Sequence, residues 1–223
     1  MTGSKVILNA AMTLDGKIST RSGDSEISCE EDLKRVHELR AEVDGIIVGI
    51  GTVLVDDPAL TVRLAEGENP TRIVVDSRGR TPSDAKVLSE SASTVIAVSH
   101  LASEESVERL QDSGADDVII VGSDWVDLPK LLDRLNEKGI NKLLLEGGST
   151  LNWSMLEQGL VDEIRVAVAP RIVGGEEAKT LVDGEGFEKV SDGVLLEFEK
   201  PEIVGDNLLL VYRVKGRTND KDD

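Results

Sequence analysis

The chain has 223 residues, 39% of them hydrophobic and 30% charged, which is typical of a soluble globular protein able to bury a full core. Its 25 basic and 43 acidic residues give a formal net charge of −18, which disfavours binding to nucleic acid or to an anionic membrane. No apolar run approaches the roughly 20 residues that span a bilayer, and the single cysteine, Cys29, excludes an internal disulfide and a multi-cysteine metal site.

The N-terminus leads directly into a strand pattern and carries no signal-peptide pattern, so we expect a cytoplasmic protein. The acidic excess favours solubility, and a salt-rich cytoplasm would explain it; we hold this as a hypothesis.

The first predicted strand runs from Lys5 to Met12 and is followed by a turn at Asp15-Gly16. Thr13 and Lys17 flank that turn. A lysine beside a strand-end turn can bind a phosphate as a point charge, whereas a hairpin decorated with solvated polar groups is the structural alternative.

A helix is predicted from about Glu30 to Val43, and its His37 is interpreted as a helix-surface or C-terminal-dipole residue rather than a catalyst. A buried strand from Asp44 to Gly49 then runs into Gly51-Thr52-Val53. This dinucleotide fingerprint is incomplete because the third glycine is missing, but a hydroxyl such as that of Thr52 can join backbone donors on a phosphate.

Leu60–Arg63 is predicted to form a short strand that ends in a cation. Asp56 and Arg63 could bind a polar ligand through their opposite charges, or could form a surface ion pair. The next strand, Arg72 to Val75, ends in Asp76-Ser77-Arg78-Gly79-Arg80. In nucleotide-binding α/β proteins such an acid binds ribose hydroxyls and a nearby arginine accommodates a 2′-phosphate.

The stretch from Lys142 to Asn152 combines a buried strand, Leu143–Leu145, with a glycine pair and a helix start. Gly147-Gly148 allows close backbone approach, and Ser149 or Thr150 is predicted to cap the helix, which together make a phosphate cradle. Glu146 beside it must point elsewhere, toward hydroxyls, an amine or a developing positive charge. A plain strand-to-helix turn with a solvated glutamate is the alternative.

The remaining predicted elements alternate until late in the chain: strands 94–98, 118–121 and 163–169, helices 104–111 and 128–135, and a final antiparallel pair at 194–198 and 207–214. Ile172-Val173-Gly174-Gly175 is interpreted as a loop. We therefore expect an α/β fold with a mixed central sheet, a parallel core, antiparallel C-terminal strands and helices on both faces. Residues 1–215 are expected to form a single domain, followed by a polar, disordered tail at 216–223.

Six short motifs occur in order along nearly the whole chain: Met12-Thr-Leu-Asp-Gly-Lys17, Val48-Gly-Ile-Gly-Thr-Val-Leu-Val-Asp-Asp-Pro58, Leu60-Thr-Val-Arg63, Arg72-Ile-Val-Val-Asp-Ser77, Leu145-Glu-Gly-Gly-Ser-Thr-Leu151 and Gly159-Leu-Val-Asp-Glu163. Through these motifs the chain resembles the riboflavin-biosynthesis pyrimidine reductases, and is most similar to their archaeal stand-alone form.

The resemblance implies a dihydrofolate-reductase-like fold, a homodimer, and reduction of the ribosyl side chain of a phosphorylated pyrimidine at C1′ by NADPH or NADH. Bacterial relatives often fuse a zinc deaminase ahead of this domain. Its His-x-Glu and Pro-Cys-x-x-Cys motifs are missing here, so no metal is expected.

Site residues also follow from the resemblance. Glu146 and Lys17 are the catalytic candidates. The substrate-binding candidates are Lys17, Arg40, Asp56, Arg63 and Glu146. The cofactor-binding candidates are Thr52, Asp56, Asp76, Ser77, Arg78, Gly79, Gly122, Gly147, Gly148, Ser149 and Thr150.

Two positions depart from the family pattern. Ile27 lies where the fused bacterial enzymes tend to place a tryptophan, and Ser149 lies where glycine or proline is frequent. Three other functions remain open: a reductase for the already deaminated uracil substrate, a related enzyme acting on a pterin, and a non-catalytic nucleotide-binding protein on the same fold.

Overall fold

The computed structural model describes residues 3–216. Its contacts divide the chain into two compact units, which we describe separately. The terminal unit comprises Lys5–Val36 and residues 145–216, and the central unit comprises residues 3–4 and His37–Leu144. Helix α1, Glu30–Ala41, begins in the terminal unit and ends in the central unit. The expectation of a single domain over 1–215 stays a prediction, and the predicted tail lies outside the described residues beyond Gly216.

The central unit alternates strands and helices. Its strands are β2 (Gly45–Gly49), β3 (Thr71–Val75), β4 (Thr94–Val98), β5 (Asp117–Ile120) and β6 (Lys142–Leu145, whose last residue belongs to the terminal unit), and its helices are α2 (Ile50–Asp56), α3 (Glu104–Asp112) and α4 (Leu128–Glu137). The strands lie in the order β5-β4-β3-β2-β6, and the neighbours from β2 to β5 are parallel. Every residue of β4 is buried, as a strand covered on both faces requires.

Local side-chain interactions and an apolar face define helix α4. The side chain of Asp127 accepts a hydrogen bond from the Lys130 amide and thereby caps α4, which carries a proline in its first turn. The buried residues of α4 are Leu128, Leu131, Leu132 and Leu135. Their spacing of three and four residues places them on one face of the helix, against the core.

The terminal unit contains β1 (Lys5–Thr13), α5 (Ser149–Glu157), β7 (Glu163–Ala169), β8 (Leu196–Val204) and β9 (Asn207–Val214). Its strands lie in the order β1-β7-β9-β8, with β1 and β7 parallel and both pairs that include β9 antiparallel. The prediction of an α/β fold with parallel strands and an antiparallel C-terminal pair is therefore confirmed. Strand β8 extends to Val204, six residues beyond the predicted end, and its Pro201 is tolerated because β8 is the last strand in this order.

The predicted strand Leu60–Arg63 is wrong. Leu60 has a φ of +51°, outside the extended region. The next two amide groups donate to side chains, Val62 to Asn69 Oδ1 at 2.7 Å and Arg63 to His37 Nδ1 at 2.9 Å. Since these donors are satisfied by side chains, the segment makes no strand ladder.

A fully buried arginine organises the loop after β3. Arg72 is 0% exposed, and its guanidinium donates to the carbonyl oxygens of Lys86, Ser89 and Ala92 and to the hydroxyls of Ser89 and Ser91. Burial lowers the pKa of Arg72. These hydrogen bonds fix the irregular chain between the short 3₁₀ helix Lys86–Leu88 and β4. Within residues 3–216 no helix is long and apolar enough to cross a membrane.

Candidate active site

The turn between β6 and α5 carries the candidate catalytic carboxylate. Glu146 directly follows the buried end of β6 and is half-buried. Gly147 has a φ of +94°, which favours glycine, and the Gly147–Gly148 peptide is cis. Gly148 is the N-cap of α5, without a side-chain cap. The prediction that Ser149 or Thr150 caps this helix is therefore wrong, because both residues lie inside its first turn.

The hydroxyl of Ser149 makes a different contact. It donates to Asp183 Oδ2 at 2.8 Å, and Ser149 is buried. The other oxygen of Asp183 accepts from the Thr180 hydroxyl at 2.5 Å and from the Thr180 amide at 3.3 Å. Burial opposes ionisation of Asp183, but the hydrogen bonds from Thr180 and Ser149 outweigh it and lower the pKa of this carboxyl. Ser149 can therefore offer a ligand its backbone amide more readily than its hydroxyl.

The turn after β1 holds Lys17. The Thr13 hydroxyl accepts from the Lys17 amide at 3.0 Å and donates to Asp15 Oδ1 at 2.6 Å. The Lys17 ammonium donates to the carbonyl oxygen of Ala178 at 2.9 Å. Because an ammonium has three donors, this contact leaves capacity for a ligand.

Asp15 fixes a second loop. Its carboxylate accepts from the amides of Val173 and Gly174, at 3.3 and 2.8 Å. The hydrogen bond from Thr13, assisted by these two amides, lowers the pKa of Asp15 against the opposing effect of burial. The loop predicted at 172–175 is confirmed, and Asp15 anchors it.

One irregular segment, residues 178–183, links the two turns of the terminal unit; we call it the strap. Lys17 forms an isolated antiparallel bridge with Thr180, and Thr180 in turn donates to Asp183, which binds Ser149. Asn152 of α5 donates to the carbonyl oxygen of Leu181 at 2.8 Å. The strap thus holds together the Lys17 turn and the start of α5 at Ser149, which lie 132 residues apart in the sequence. No periodic pattern marks the strap, so the sequence did not predict it.

In the central unit, two predicted substrate-binding cations meet at Thr61. Arg40 Nη1 donates to the Thr61 carbonyl oxygen at 3.2 Å, and Arg63 Nη1 donates to the Thr61 hydroxyl at 3.3 Å. Two guanidinium groups on one buried residue form a local cationic site in a protein of strongly negative net charge. The sequence predicted both arginines but not the threonine that joins them.

His37 supports this arrangement. It is 4% exposed, and its Nδ1 accepts the Arg63 amide hydrogen. The interpretation of His37 as a helix-surface residue is wrong, because its buried ring accepts a hydrogen bond that fixes the backbone of Arg63, a substrate-binding candidate.

Two further candidates lie on α2. Asp56 is exposed at the end of this helix, and Thr52 is half-buried in it. Their ligand roles stay predictions.

A buried carboxylate stabilises the turn after β3. Asp76 is fully buried, and its Oδ2 accepts from the Thr81 amide at 2.7 Å and the Thr81 hydroxyl at 2.8 Å. Arg80 Nε lies 3.9 Å from the other oxygen. Arg109 of α3 donates to the carbonyl oxygens of Gly79 and Thr81, at 2.5 and 2.8 Å. Asp76 therefore shapes the turn, while the side chain of Arg78 is exposed.

The backbone conformation at position 122 requires glycine. It has a φ of +88°, and a Cβ atom there would collide with the carbonyl oxygen of Trp125. Its own carbonyl oxygen accepts from the His100 amide at 3.0 Å. The predicted cofactor contacts of Asp76, Ser77, Arg78, Gly79 and Gly122 stay predictions.

Comparison with known proteins places the chain in a class of reductases: it belongs to the RibD C-terminal domain family, whose model matches residues 4–210. The predicted family is thereby confirmed. The chain is 56% identical, over 95% of its length and 98% of the relative, to the 2,5-diamino-6-ribosylamino-4(3H)-pyrimidinone 5′-phosphate reductase of Methanothermobacter thermautotrophicus.

Solved structures agree with this assignment. The RibD protein of Acinetobacter baumannii superposes with a TM-score of 0.81 at 27% identity, covering 96% of this chain and 59% of that protein. The dihydrofolate reductase of Enterococcus faecalis superposes with a TM-score of 0.53 at 15% identity, over 97% of this chain and 99% of that enzyme, which supports the predicted fold alone. The chain is an oxidoreductase of riboflavin biosynthesis, and its family and fold imply a nicotinamide cofactor.

Proposed function

We propose that the protein reduces the ribosyl side chain of 2,5-diamino-6-ribosylamino-4(3H)-pyrimidinone 5′-phosphate to the ribityl product, with NADPH as reductant. The substrate follows from the relative that is 56% identical and bears that name. Reduction of the deaminated uracil analogue is the second candidate, because a solved relative from Thermotoga maritima, 28% identical to this chain, is named a deaminase and 5-amino-6-(5-phosphoribosylamino)uracil reductase.

The strap is the observation that carries this proposal. Through residues 178–183, the Lys17 turn and the start of α5 are hydrogen-bonded into one framework. Both candidate catalytic residues thus lie on elements held by one structure, as a preorganised site requires.

The β6–α5 turn suits the diphosphate of a nicotinamide cofactor. Gly147 and Gly148 carry no side chain that would keep a ligand from the backbone, and the first turn of α5 lacks a side-chain cap. Its amides and the positive end of the helix dipole favour an anion. Gly147, Gly148, Ser149 and Thr150 would hold the cofactor there.

The resemblance supports the other cofactor positions. Thr52 would add a hydroxyl donor for phosphate, and Ser77, Arg78, Gly79 and Gly122 would line the adenosine end. The exposed Arg78 and Arg80 favour NADPH over NADH, because an arginine accommodates the ribose 2′-phosphate.

The reaction requires an electrophilic C1′. Opening of the ribosylamine ring gives an imine, and protonation of its nitrogen produces a cation. The bound cofactor supplies the hydride that C1′ accepts. Glu146 stabilises the cationic imine electrostatically or delivers its proton, which explains an acid beside a phosphate-binding turn.

The remaining residues orient the substrate. Lys17 and Arg63, together with Arg40, would hold its phosphate or hydroxyls, since cations and guanidinium forks bind these groups. Asp56 would accept hydrogen bonds from ribose hydroxyls or from a pyrimidine amine. The resemblance, rather than an observed ligand, supports these assignments.

Cofactor oxidation, followed at 340 nm with each candidate substrate, tests the function. We expect turnover with NADPH and the diamino pyrimidinone, and at least tenfold lower kcat/KM with the uracil analogue or NADH. Faster turnover of the uracil analogue would transfer the assignment to the second candidate. Absence of turnover with both pyrimidines and with dihydropterin would favour the non-catalytic binding protein.

Glu146→Gln tests the catalytic assignment. Removing the negative charge while keeping the size should lower kcat by 10²-fold or more, a typical contribution of a positioned proton donor or charge, with little change in NADPH affinity. Glu157→Gln is the matched control, because Glu157 is an exposed acid at the end of α5. Equal losses of kcat and NADPH affinity would contradict the role of Glu146.

We also propose a homodimer through β8. This strand exposes almost every residue, including Phe198 at 51% and Ile203 at 73%, and the neighbouring Val190 is 98% exposed. Exposed apolar side chains on the last strand of a sheet favour contact with another protein surface. Sedimentation should show a dimer for the wild type and a folded monomer for Ile203→Asp with Phe198→Asp, and a monomeric wild type would contradict the proposal.

A further inference from the structure

Trp125 differs from every other aromatic residue of the chain. The other four rings form two pairs, Trp153 with Phe187 and Phe198 with Tyr212, with centroids 5.0 and 5.4 Å apart. Trp125 belongs to neither pair and is 72% exposed. Aromatic residues make up only 2% of the sequence, and such residues are usually buried or bound to a partner. An indole exposed to this extent therefore favours a binding role.

The loop that presents Trp125 is fixed on both sides of the indole. The Val126 amide donates to the Ser77 hydroxyl at 3.1 Å, and the Ser99 hydroxyl donates toward the carbonyl oxygens of Ser77 and Asp124 at 2.8 and 3.3 Å. The tight turn at Gly122 closes the loop next to the Trp125 carbonyl group. The indole is therefore held by a defined backbone while its side chain remains in solvent.

These hydrogen bonds also locate the indole. Ser77 follows β3, Ser99 follows β4 and Gly122 follows β5, and the three strands are adjacent and parallel. Trp125 therefore lies at their carboxyl edge, where open α/β sheets bind ligands. The Asp76–Gly79 turn, with exposed Arg78, belongs to the same edge of the central unit.

We propose that Trp125 stacks on the adenine base of the nicotinamide cofactor. This inference rests on the proposed function, in which Ser77 and Arg78 line the adenosine end. An indole face offers a base a neutral π-surface, which avoids the electrostatic cost that a carboxylate-rich surface would impose on a phosphorylated ligand. Ser77 sets the position of the indole through the Val126 amide and thereby couples the stacking surface to the ribose-binding turn.

Calorimetric binding of adenosine 2′,5′-bisphosphate tests the stacking. Trp125→Ala should raise its Kd about tenfold, within the range measured for base–aromatic stacking. Trp125→Phe should recover most of the affinity, whereas Trp125→Leu, which is apolar but not planar, should not. Ile120→Ala is the matched control, because Ile120 is a half-exposed apolar residue on β5, and it should leave the Kd unchanged.

A second probe localises the effect. Reduced nicotinamide mononucleotide lacks adenine, so its Kd should be the same for the wild type and Trp125→Ala. In a Trp153→Phe background, adenosine 2′,5′-bisphosphate should quench the remaining tryptophan emission. An unchanged bisphosphate Kd in a folded Trp125→Ala protein, or an equal loss for both probes, would overturn the proposal.

These measurements use no pyrimidine. If the wild type bound the bisphosphate through Trp125 but reduced neither pyrimidine, the stacking would be supported and the proposed function contradicted. If turnover occurred while the Trp125 variants bound the bisphosphate normally, only the stacking would be refuted.

Discussion

Replacing Asp183 should loosen the framework that holds the Lys17 turn and α5 together. Its two carboxylate oxygens accept from the hydroxyls of Thr180 and Ser149, at 2.5 and 2.8 Å, and its side chain is 31% exposed. A hydrogen bond to a charged group contributes about 1.5–3 kcal/mol, and partial exposure places these bonds at the lower end. Asp183→Ala should therefore cost about 3 kcal/mol, and Asp183→Asn about half of that because one acceptor oxygen remains.

Urea unfolding at pH 7 measures this loss, which corresponds to a decrease in Tm of roughly 6–12 °C for a protein of this size. A double-mutant cycle with Ser149→Ala should give a coupling free energy of about 1 kcal/mol, since the two groups share one hydrogen bond. Asp192→Asn, an exposed acid in the same unit, is the control. A loss below about 0.5 kcal/mol for Asp183→Ala, within the range of surface substitutions, would refute the reasoning.

The pH dependence supplies an independent check. The pKa of Asp183 is lower in the folded protein than its ordinary value of 3.8, so the unfolded chain binds the proton first as the pH falls. The stabilisation by Asp183 is complete above pH 3.8 and disappears as the pH falls through the folded-state pKa. The difference in unfolding free energy between wild type and Asp183→Asn should shrink from pH 5 to pH 3. A difference that is constant over this range would show that the charge of Asp183 is irrelevant.

Three further substitutions test single contacts. Gly122→Ala should cost at least about 3 kcal/mol in urea unfolding, because φ is +88° and the new methyl group meets the Trp125 carbonyl oxygen; Ser123→Ala should not. Arg72→Met should lower the urea midpoint by an amount equivalent to about 3–5 kcal/mol, because buried carbonyl groups lose their donor, whereas a loss below 1 kcal/mol would contradict that role. His37→Phe should raise the KM for the pyrimidine several-fold at unchanged NADPH affinity, since the Arg63 amide loses its acceptor; an unchanged KM would argue against this contact.

Most of the regular structure could be predicted from the sequence because it depends on local patterns. A continuous apolar run identified β4, a strand pattern identified β7 and an alternating segment identified β9, all with their observed limits, and a helical pattern identified α4. The failure at Leu60–Arg63 has a definite cause. An apolar-polar alternation was present, but its amides are satisfied by Asn69 and His37, contacts that no local pattern reveals.

The sequence predicted several residues of the candidate site, but it predicted few of the contacts that hold them in place. The glycine pair after β6, Lys17 and Arg63 each belong to short motifs. Two of their supports, Asp183 and His37, lie 34 and 26 residues from Ser149 and Arg63 and belong to no quoted motif. Thr61 lies within the Leu60–Arg63 motif, but the motif does not show that this residue accepts from both arginines. A carboxylate such as Asp183 acquires its role only when the fold delivers two hydroxyl donors to it.

Asp76 has a structural role that its residue type and position did not predict. A strand-end acid can bind ribose hydroxyls, yet this one is fully buried and its Oδ2 is used by the Thr81 amide and hydroxyl. Removing that oxygen from Thr81 would leave buried donors without an acceptor, which costs more than a solvent-exposed contact gains. Through Oδ2, Asp76 thus holds the turn that presents Ser77 and Arg78. Its Oδ1 is buried and accepts no hydrogen bond from the described residues, so the predicted cofactor contact of Asp76 stays a prediction for that oxygen.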